Sequence, residues 1–272
     1  MLRMTSQPIR KLTAEARQAA NALSEHTLRV ARPLFWHIGM RNGGVPKGAS
    51  AFILRFEQRL VAVTADHVFE QYLADLQADD RTVCQLAAGQ VRPQDSVIAR
   101  SAKLDIATFE IDPRQLDAIR ADTIDCRGSA WPPPNVEEGD TLTLTGFLDK
   151  QRNKIAPNHY AMEAWGAHGI ADAVSDRDIM TIYEPERVLH ARFDVPKPPL
   201  GFNMSGCSGG PALLVKPVNG LLRWFPVGLI YKGPDGKAEG EFASFDRIHV
   251  RRIHFLDTDG TINEPDIGWL PS

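Results

Sequence analysis

The stretch GCSGGPALL, residues 206–214, sets a serine among three glycines and follows it with Pro211 and an apolar run. Glycine weakens helix and strand interiors, so such a segment adopts backbone angles that other residues avoid. A serine held on a strained bend is one way to present a nucleophilic hydroxyl. Two fold classes use that device, and the rest of the chain chooses between them.

Gly206-Cys207-Ser208-Gly209-Gly210 fits G-x-S-x-G, the nucleophile elbow of α/β-hydrolases, in which the acid and then the histidine follow the serine. His249 and His254 lie downstream, with Asp235, Asp246, Asp257 and Asp259 as acids. Upstream, however, the strand–helix alternation that builds the parallel sheet of that fold is poor. GASAFILRF, RLVAVTAD, DTLTLTGF and FPVGLIY are instead short runs rich in β-branched and aromatic residues, several of them separated by turn-forming clusters. An esterase on that fold is the weaker alternative.

The other arrangement places histidine first, then aspartate, then serine. VAVTADHVF, residues 61–69, sets His67 just after a β-type run. KLDIATFEI, residues 103–111, opens on Asp105 and continues as an apolar strand, and Ser208 completes the order. On these blocks the chain resembles the trypsin-like (chymotrypsin-fold) serine peptidases. Thr64-Ala65-Asp66-His67 is similar to their Thr-Ala-Ala-His block, Asp105-Ile106-Ala107 to their Asp-Ile-Ala block, and Gly206 to Pro211 to their Gly-Asp/Asn-Ser-Gly-Gly-Pro block. GASAFILRFEQRLVAVTADH resembles the hairpin before the family's histidine, and EEGDTLTLTGF its second-barrel opening strand. The likeness covers roughly residues 45–250.

The resemblance implies an all-β fold of two antiparallel β-barrels and a serine endopeptidase acting through an acyl-enzyme. A serine hydroxyl is a poor nucleophile near neutral pH and needs an adjacent base. His67 takes its proton and returns it to the leaving amine, while Asp105 fixes the imidazole tautomer and stabilises the imidazolium. The tetrahedral intermediate carries an oxyanion, and by resemblance the amides of Gly206 and Ser208 receive it. Losing one such donor costs ~3 kcal/mol of barrier. Also by resemblance, Phe202 lies at the base of the primary pocket and favours a small or medium apolar side chain there. Glu239 or Glu241, on a nearby loop, would reverse that preference by reaching in. Tyr231, Lys232 and Gly233 form the edge that pairs with the substrate backbone.

Two departures matter. Cys207 stands where secreted digestive relatives carry the aspartate that pairs with a new N-terminal ammonium, and cysteine forms no such pair, so no activating cleavage is expected. Cys207 is a poor candidate for the nucleophile, since Ser208 directly precedes Gly-Gly; it reads first as a small buried residue packing under the oxyanion loop, and as an oxidant-sensitive thiol only in second place. Asp66 replaces a small alanine. Adjacent residues on an extended chain face opposite ways, which disfavours Asp66 as the triad acid.

Net charge is -3 with no basic block, so nucleic-acid binding is not expected. No apolar run is long enough for a membrane span, and the N-terminus lacks the apolar core of a secretory signal. Cys84, Cys126 and Cys207 show no C-x-x-C spacing, and the histidines show no metal-ligand spacing. A cytoplasmic protein without metal or cofactor, acting on protein or peptide substrates, is expected. Leu12, Ala16, Ala19, Ala20, Leu23, Thr27 and Val30 recur at helical spacing. They predict an N-terminal helical extension over 1–32, packed on the barrels or on a partner. The peptidase domain then spans 33–250, with barrel one at about 33–129, barrel two at about 135–250 and AWPPPNVEEGD between them. Region 150–200 reads as long loops with short strands. DRIHVRRIHFL has the pattern of either a helix or a strand, of which a closing helix is the preferred reading, before a tail over 251–272. A non-catalytic binding module on the same fold is the remaining alternative.

Overall fold

The structure, a computed structural model, describes residues 25, 27–38, 46–156, 159–182, 202–235 and 247–264. It is an all-β fold of two antiparallel sheets, in keeping with a chymotrypsin-like two-barrel arrangement. The first sheet holds β1 (Ala31–Ile38), β2 (Lys47–Arg55), β3 (Leu60–Thr64), β4 (Thr82–Leu86), β5 (Gly89–Val91), β6 (Val97–Ser101) and β7 (Ile106–Glu110). They run in the order β5-β4-β1-β2-β3-β7-β6, and the short β8 (Ile124–Asp125) lies parallel on β2. The second sheet holds β9 (Thr141–Ala156), β10 (His159–Ile170), β11 (Ala173–Val174), β12 (Asp178–Ile182), β13 (Pro211–Val218), β14 (Leu221–Lys232) and β15 (Arg247–Arg252). Its order is β10-β9-β13-β14-β15-β12-β11.

The apolar residues of β2 and β3 fill the first core, with Phe52, Ile53, Leu54, Val61, Ala62 and Val63 all fully buried. Leu142, Leu144, Leu148, Trp165 and Val250 are in a second cluster. Strand β13 serves both. Leu213 packs in the first cluster, whereas its neighbours Ala212 and Leu214 pack in the second. Alternate residues of a strand face opposite ways, so β13 stands between the two cores. Leu229 and Ile230 on β14 divide in the same manner. The segment that carries Ser208 leads straight into β13 and therefore emerges where the two cores meet.

Three local expectations are corrected. The closing helix is absent from its expected place. Arg247–Arg252 is the strand β15, because Ile248 and Val250 alternate into the second core, and Ile253, Phe255 and Leu256 then enter the first. The region after residue 150 is a continuation of the long β9–β10 hairpin, in register Lys154 opposite Tyr160 and Asn153 opposite Ala161. Polar residues on both faces there hide the strand period from view. A helix not foreseen, α1 (Asp66–Ala78), follows β3 directly and buries Val68, Phe69 and Tyr72. Of the N-terminal extension, residues 25 and 27–30 are helical and Thr27 and Val30 are buried; the rest lies outside the described residues.

Candidate active site

His67 sits in the first turn of α1. Burial of Val68, Phe69 and Tyr72 fixes the helix against the first core, and His67 is left with half its side chain exposed. Asp105 precedes β7 with φ of 53°, in the left-handed region that aspartate tolerates better than most residues. The backbone N–H of His67 donates to Asp105 Oδ1 at 2.9 Å, and the ring Nδ1 lies 3.0 Å from Oδ1 and 2.8 Å from Oδ2. An ionised carboxylate only accepts, so Nδ1 carries a proton, and in the neutral ring Nε2 keeps its lone pair. The bond to Asp105 raises the His67 pKa above its ordinary 6.5, against the opposing effect of burial and with help from the Asp105, Asp66 and Glu70 charges. Burial pushes Asp105 upward. The side-chain and backbone bonds from His67, with the charges of His67 and Arg251, outweigh it and hold the carboxyl below 3.8.

Asp66 has a partner of its own. Its carboxylate is buried and takes Arg100 Nε at 2.6 Å and a second guanidinium nitrogen at 3.1 Å. The guanidinium also lies 5.3 Å from the centre of the Phe69 ring. Asp66 thus pairs with Arg100 on β6 and not with His67.

The Ser208 loop lies against the end of the β2–β3 pair. Ser208 C=O accepts from the Ser50 amide at 2.8 Å, and Gly209 N–H donates to Ile230 C=O at 2.7 Å. Thr64, three residues before His67, donates its hydroxyl to Ser50 C=O at 2.9 Å. Gly209 has φ of +84°, and a Cβ there would stand 2.1 Å from Ser50 O and 2.4 Å from Thr64 Oγ1. Gly206 has φ of +95°, and a Cβ there would stand 2.2 Å from Phe147 O. Only glycine meets both demands at these positions. Among the described residues, neither the Gly206 nor the Ser208 amide makes a hydrogen bond, and none joins the Ser208 hydroxyl to His67. His67 and Asp105 are therefore bonded, while Ser208 reaches the same corner through Ser50 and Thr64.

The other predicted site residues form a neighbouring group. Asn203 bridges Asp235, Met204 N–H donates to Pro234 C=O at 2.9 Å, and a Cβ on Gly233 would stand 2.8 Å from Met204 Sδ. The segment behind Phe202 thus runs beside Gly233. Phe202 itself packs on Trp165, with ring centres 5.9 Å apart, against the second core. Tyr231 lies under the Arg251 guanidinium at 4.4 Å, and Lys232 is exposed. Glu239 and Glu241 fall outside the described residues.

Cys207 is fully buried, and burial pushes its thiol pKa far up, with the Asp149 charge adding to the effect. That is the reverse of a reactive thiolate, so oxidant sensitivity at Cys207 finds no support. All three cysteines are free. Among the described residues no cluster of three or more His, Cys, Asp or Glu side chains is arranged to hold a metal ion, and no helix is long and apolar enough to cross a membrane.

Sequence reasoning missed Ser50, Thr64 and Arg100. Thr64 stood inside the block quoted for His67, and a hydroxyl ending the apolar run of residues 60–63 was the one signal it gave. Ser50 and Arg100 act across long stretches of chain, and nothing local marks them.

No family model matches the chain, and no curated protein matches it. Among solved structures the chain is similar to the active form of the Rv3671c protease from M. tuberculosis, at 10% sequence identity and a TM-score of 0.47. The match covers 93% of this chain and 89% of that one.

Proposed function

We propose that the protein is a trypsin-like serine endopeptidase in which Ser208 is the nucleophile, His67 the general base and Asp105 its orienting acid. The observation that carries this reading is the Asp105–His67 pairing, with Nε2 left open, beside a glycine-shaped loop whose Gly206 and Ser208 amides are unpaired. In the proposed reaction Ser208 Oγ attacks the scissile carbonyl carbon and its proton passes to His67 Nε2. The two amides hold the oxyanion. His67 returns the proton to the leaving amine, the acyl-enzyme forms, and water reverses the sequence to release the acid. An extended substrate pairs with the Tyr231–Gly233 edge. Phe202, apolar and packed on Trp165, favours an apolar side chain before the cleaved bond.

The missing Ser208–His67 hydrogen bond is what a non-catalytic binding module would favour. Catalytic hydrogen bonds are often long before substrate is bound and tighten in the complex. A fluorophosphonate probe separates the two readings. It should label Ser208 in the wild type and fail to label Ser208→Ala, whose thermal midpoint stays nearly unchanged. An unlabelled wild type, or label on Cys207, overturns the assignment.

A further inference from the structure

Ser50, on β2, is fully buried and uses every polar group it has. Its amide donates to Ser208 C=O at 2.8 Å and its carbonyl accepts from the Thr64 hydroxyl at 2.9 Å. Its own hydroxyl donates to Gly206 C=O at 2.8 Å and accepts from Phe147 N–H, on β9, at 2.9 Å. The hydroxyl therefore joins the first sheet, the second sheet and the serine loop at one atom.

The carbonyls of the loop are all taken. Ser205 C=O accepts from Asp149 N–H at 2.8 Å, Gly206 C=O from Ser50 Oγ, Cys207 C=O from Gly210 N–H at 2.9 Å, and Ser208 C=O from Ser50 N–H. A peptide unit is planar and trans, so fixing a carbonyl also fixes the N–H across the bond in the opposite direction. Four pinned carbonyls fix four successive peptide planes. Gly209 N–H is spent on Ile230 and Cys207 N–H on Met204. The amides of Gly206 and Ser208 are left over. Ser50 supplies two of the four pins, and its hydroxyl is the pin on the one carbonyl that belongs to a glycine at positive φ. That peptide lies between the two that carry the Gly206 and Ser208 amides, and it is held at both ends, by Ser50 Oγ on the Gly206 C=O and by Met204 C=O on the Cys207 N–H; glycine's low steric barriers leave its position dependent on both holds.

Resting on the proposed peptidase reading, we infer that Ser50 is a positioning residue. Its hydroxyl holds the Gly206–Cys207 peptide so that the Gly206 and Ser208 amides converge on the developing oxyanion. It touches no substrate. In Ser50→Ala the Ser208 C=O bond survives, because it uses the backbone, while Gly206 C=O loses its donor and Phe147 N–H its acceptor.

The test uses the full chain and two readouts. The first is the rate of fluorophosphonate labelling, which should fall about tenfold or more in Ser50→Ala, since a misplaced donor loses part of what a deleted one does. The KM for a peptide substrate should stay level while kcat falls. The second is iodoacetamide alkylation of Cys207, located by mass spectrometry. It reports the seating of the loop whether or not the protein is an enzyme, with buried Cys84 and Cys126 as controls for the fold. If the wild type labels, a tenfold loss in Ser50→Ala with both control cysteines protected supports the inference, and an unchanged rate overturns it. If the wild type does not label, the peptidase reading fails by itself. A rise in alkylation at Cys207 alone then still supports the loop-holding role of Ser50, and no rise overturns it. Equal exposure of all three cysteines overturns it in either case, because Ser50 would then merely support the fold.

Discussion

Replacing Arg100 by methionine strands a buried carboxylate beside the proposed base. The Asp66 side chain is only 3% exposed, and Arg100 holds it at 2.6 and 3.1 Å. Removing one partner of a buried ion pair costs ~3–5 kcal/mol, since the other charge stays out of water unpaired. A third of the Arg100 side chain is exposed, so water already screens the pair and the cost drops to about 2–4 kcal/mol. Methionine keeps the unbranched stem but loses the guanidinium over the Phe69 ring, so part of that cost is lost contact. Asp66→Asn removes the charge and keeps the shape, and should cost less than Arg100→Met. The double variant should cost less than the sum of the two, with a coupling energy of about 1–3 kcal/mol. Urea unfolding of the four proteins measures these values. The same pair gives a second readout. The Asp66 charge helps to raise the His67 pKa. Asp66→Asn should therefore lower it, while Arg100→Met, by leaving that charge unneutralised, should raise it further. The pH profile of fluorophosphonate labelling then shifts in opposite directions. Arg100→Met as stable as wild type, or both profiles moving the same way, refutes the reasoning.

Gly209→Ala should destabilise the protein by about 3 kcal/mol or more, from a residue forced to positive φ at ~1–2 kcal/mol and a Cβ driven against Ser50 O and Thr64 Oγ1; wild-type stability in urea would refute this. Asp105→Asn removes the main cause of the raised His67 pKa, so the rising limb of labelling against pH should move down while the maximum rate falls on the order of 10⁴-fold. Folded wild type holds the His67 proton more tightly than the unfolded chain does. That pairing stabilises fully below pH 6.5 and is lost as pH rises through the folded pKa. The lowered Asp105 pKa works at the other end, stabilising above pH 3.8 and fading as pH falls through the folded value. The stability gap between wild type and Asp105→Asn should accordingly narrow toward both extremes, and a gap constant from pH 3 to 9 refutes the pairing.

The sheets were legible where one face is apolar and the other polar, or where a run is buried throughout, as in Leu60–Thr64. The order of His67, Asp105 and Ser208 was legible because each lies in a short block of distinctive neighbours. The hairpin beyond residue 150 was not, since a ribbon wet on both sides carries no burial pattern. Helix α1 is hidden because Asp66 and His67 follow a β-type run and read as its extended continuation, although Val68, Phe69, Tyr72 and Leu76 keep helical spacing. Arg247–Arg252 was misread because three arginines and a histidine obscure the alternation of Ile248 and Val250. Ser50 was illegible in principle. Its partners are 97 and 156 residues away, and one serine in an apolar strand says nothing of what its hydroxyl reaches.

The position of β13 between two cores gives the molecule a built-in safeguard. The serine loop is tethered by Ser50 of the first sheet and by Asp149 of the second, with Phe147 N–H tying Ser50 itself to the second sheet, so its shape depends on both halves being docked. A molecule whose two sheets came apart would lose the loop with them, even with each sheet intact. On the proposed chemistry it would fall silent at once, leaving no half-folded hydrolase to cleave its neighbours indiscriminately.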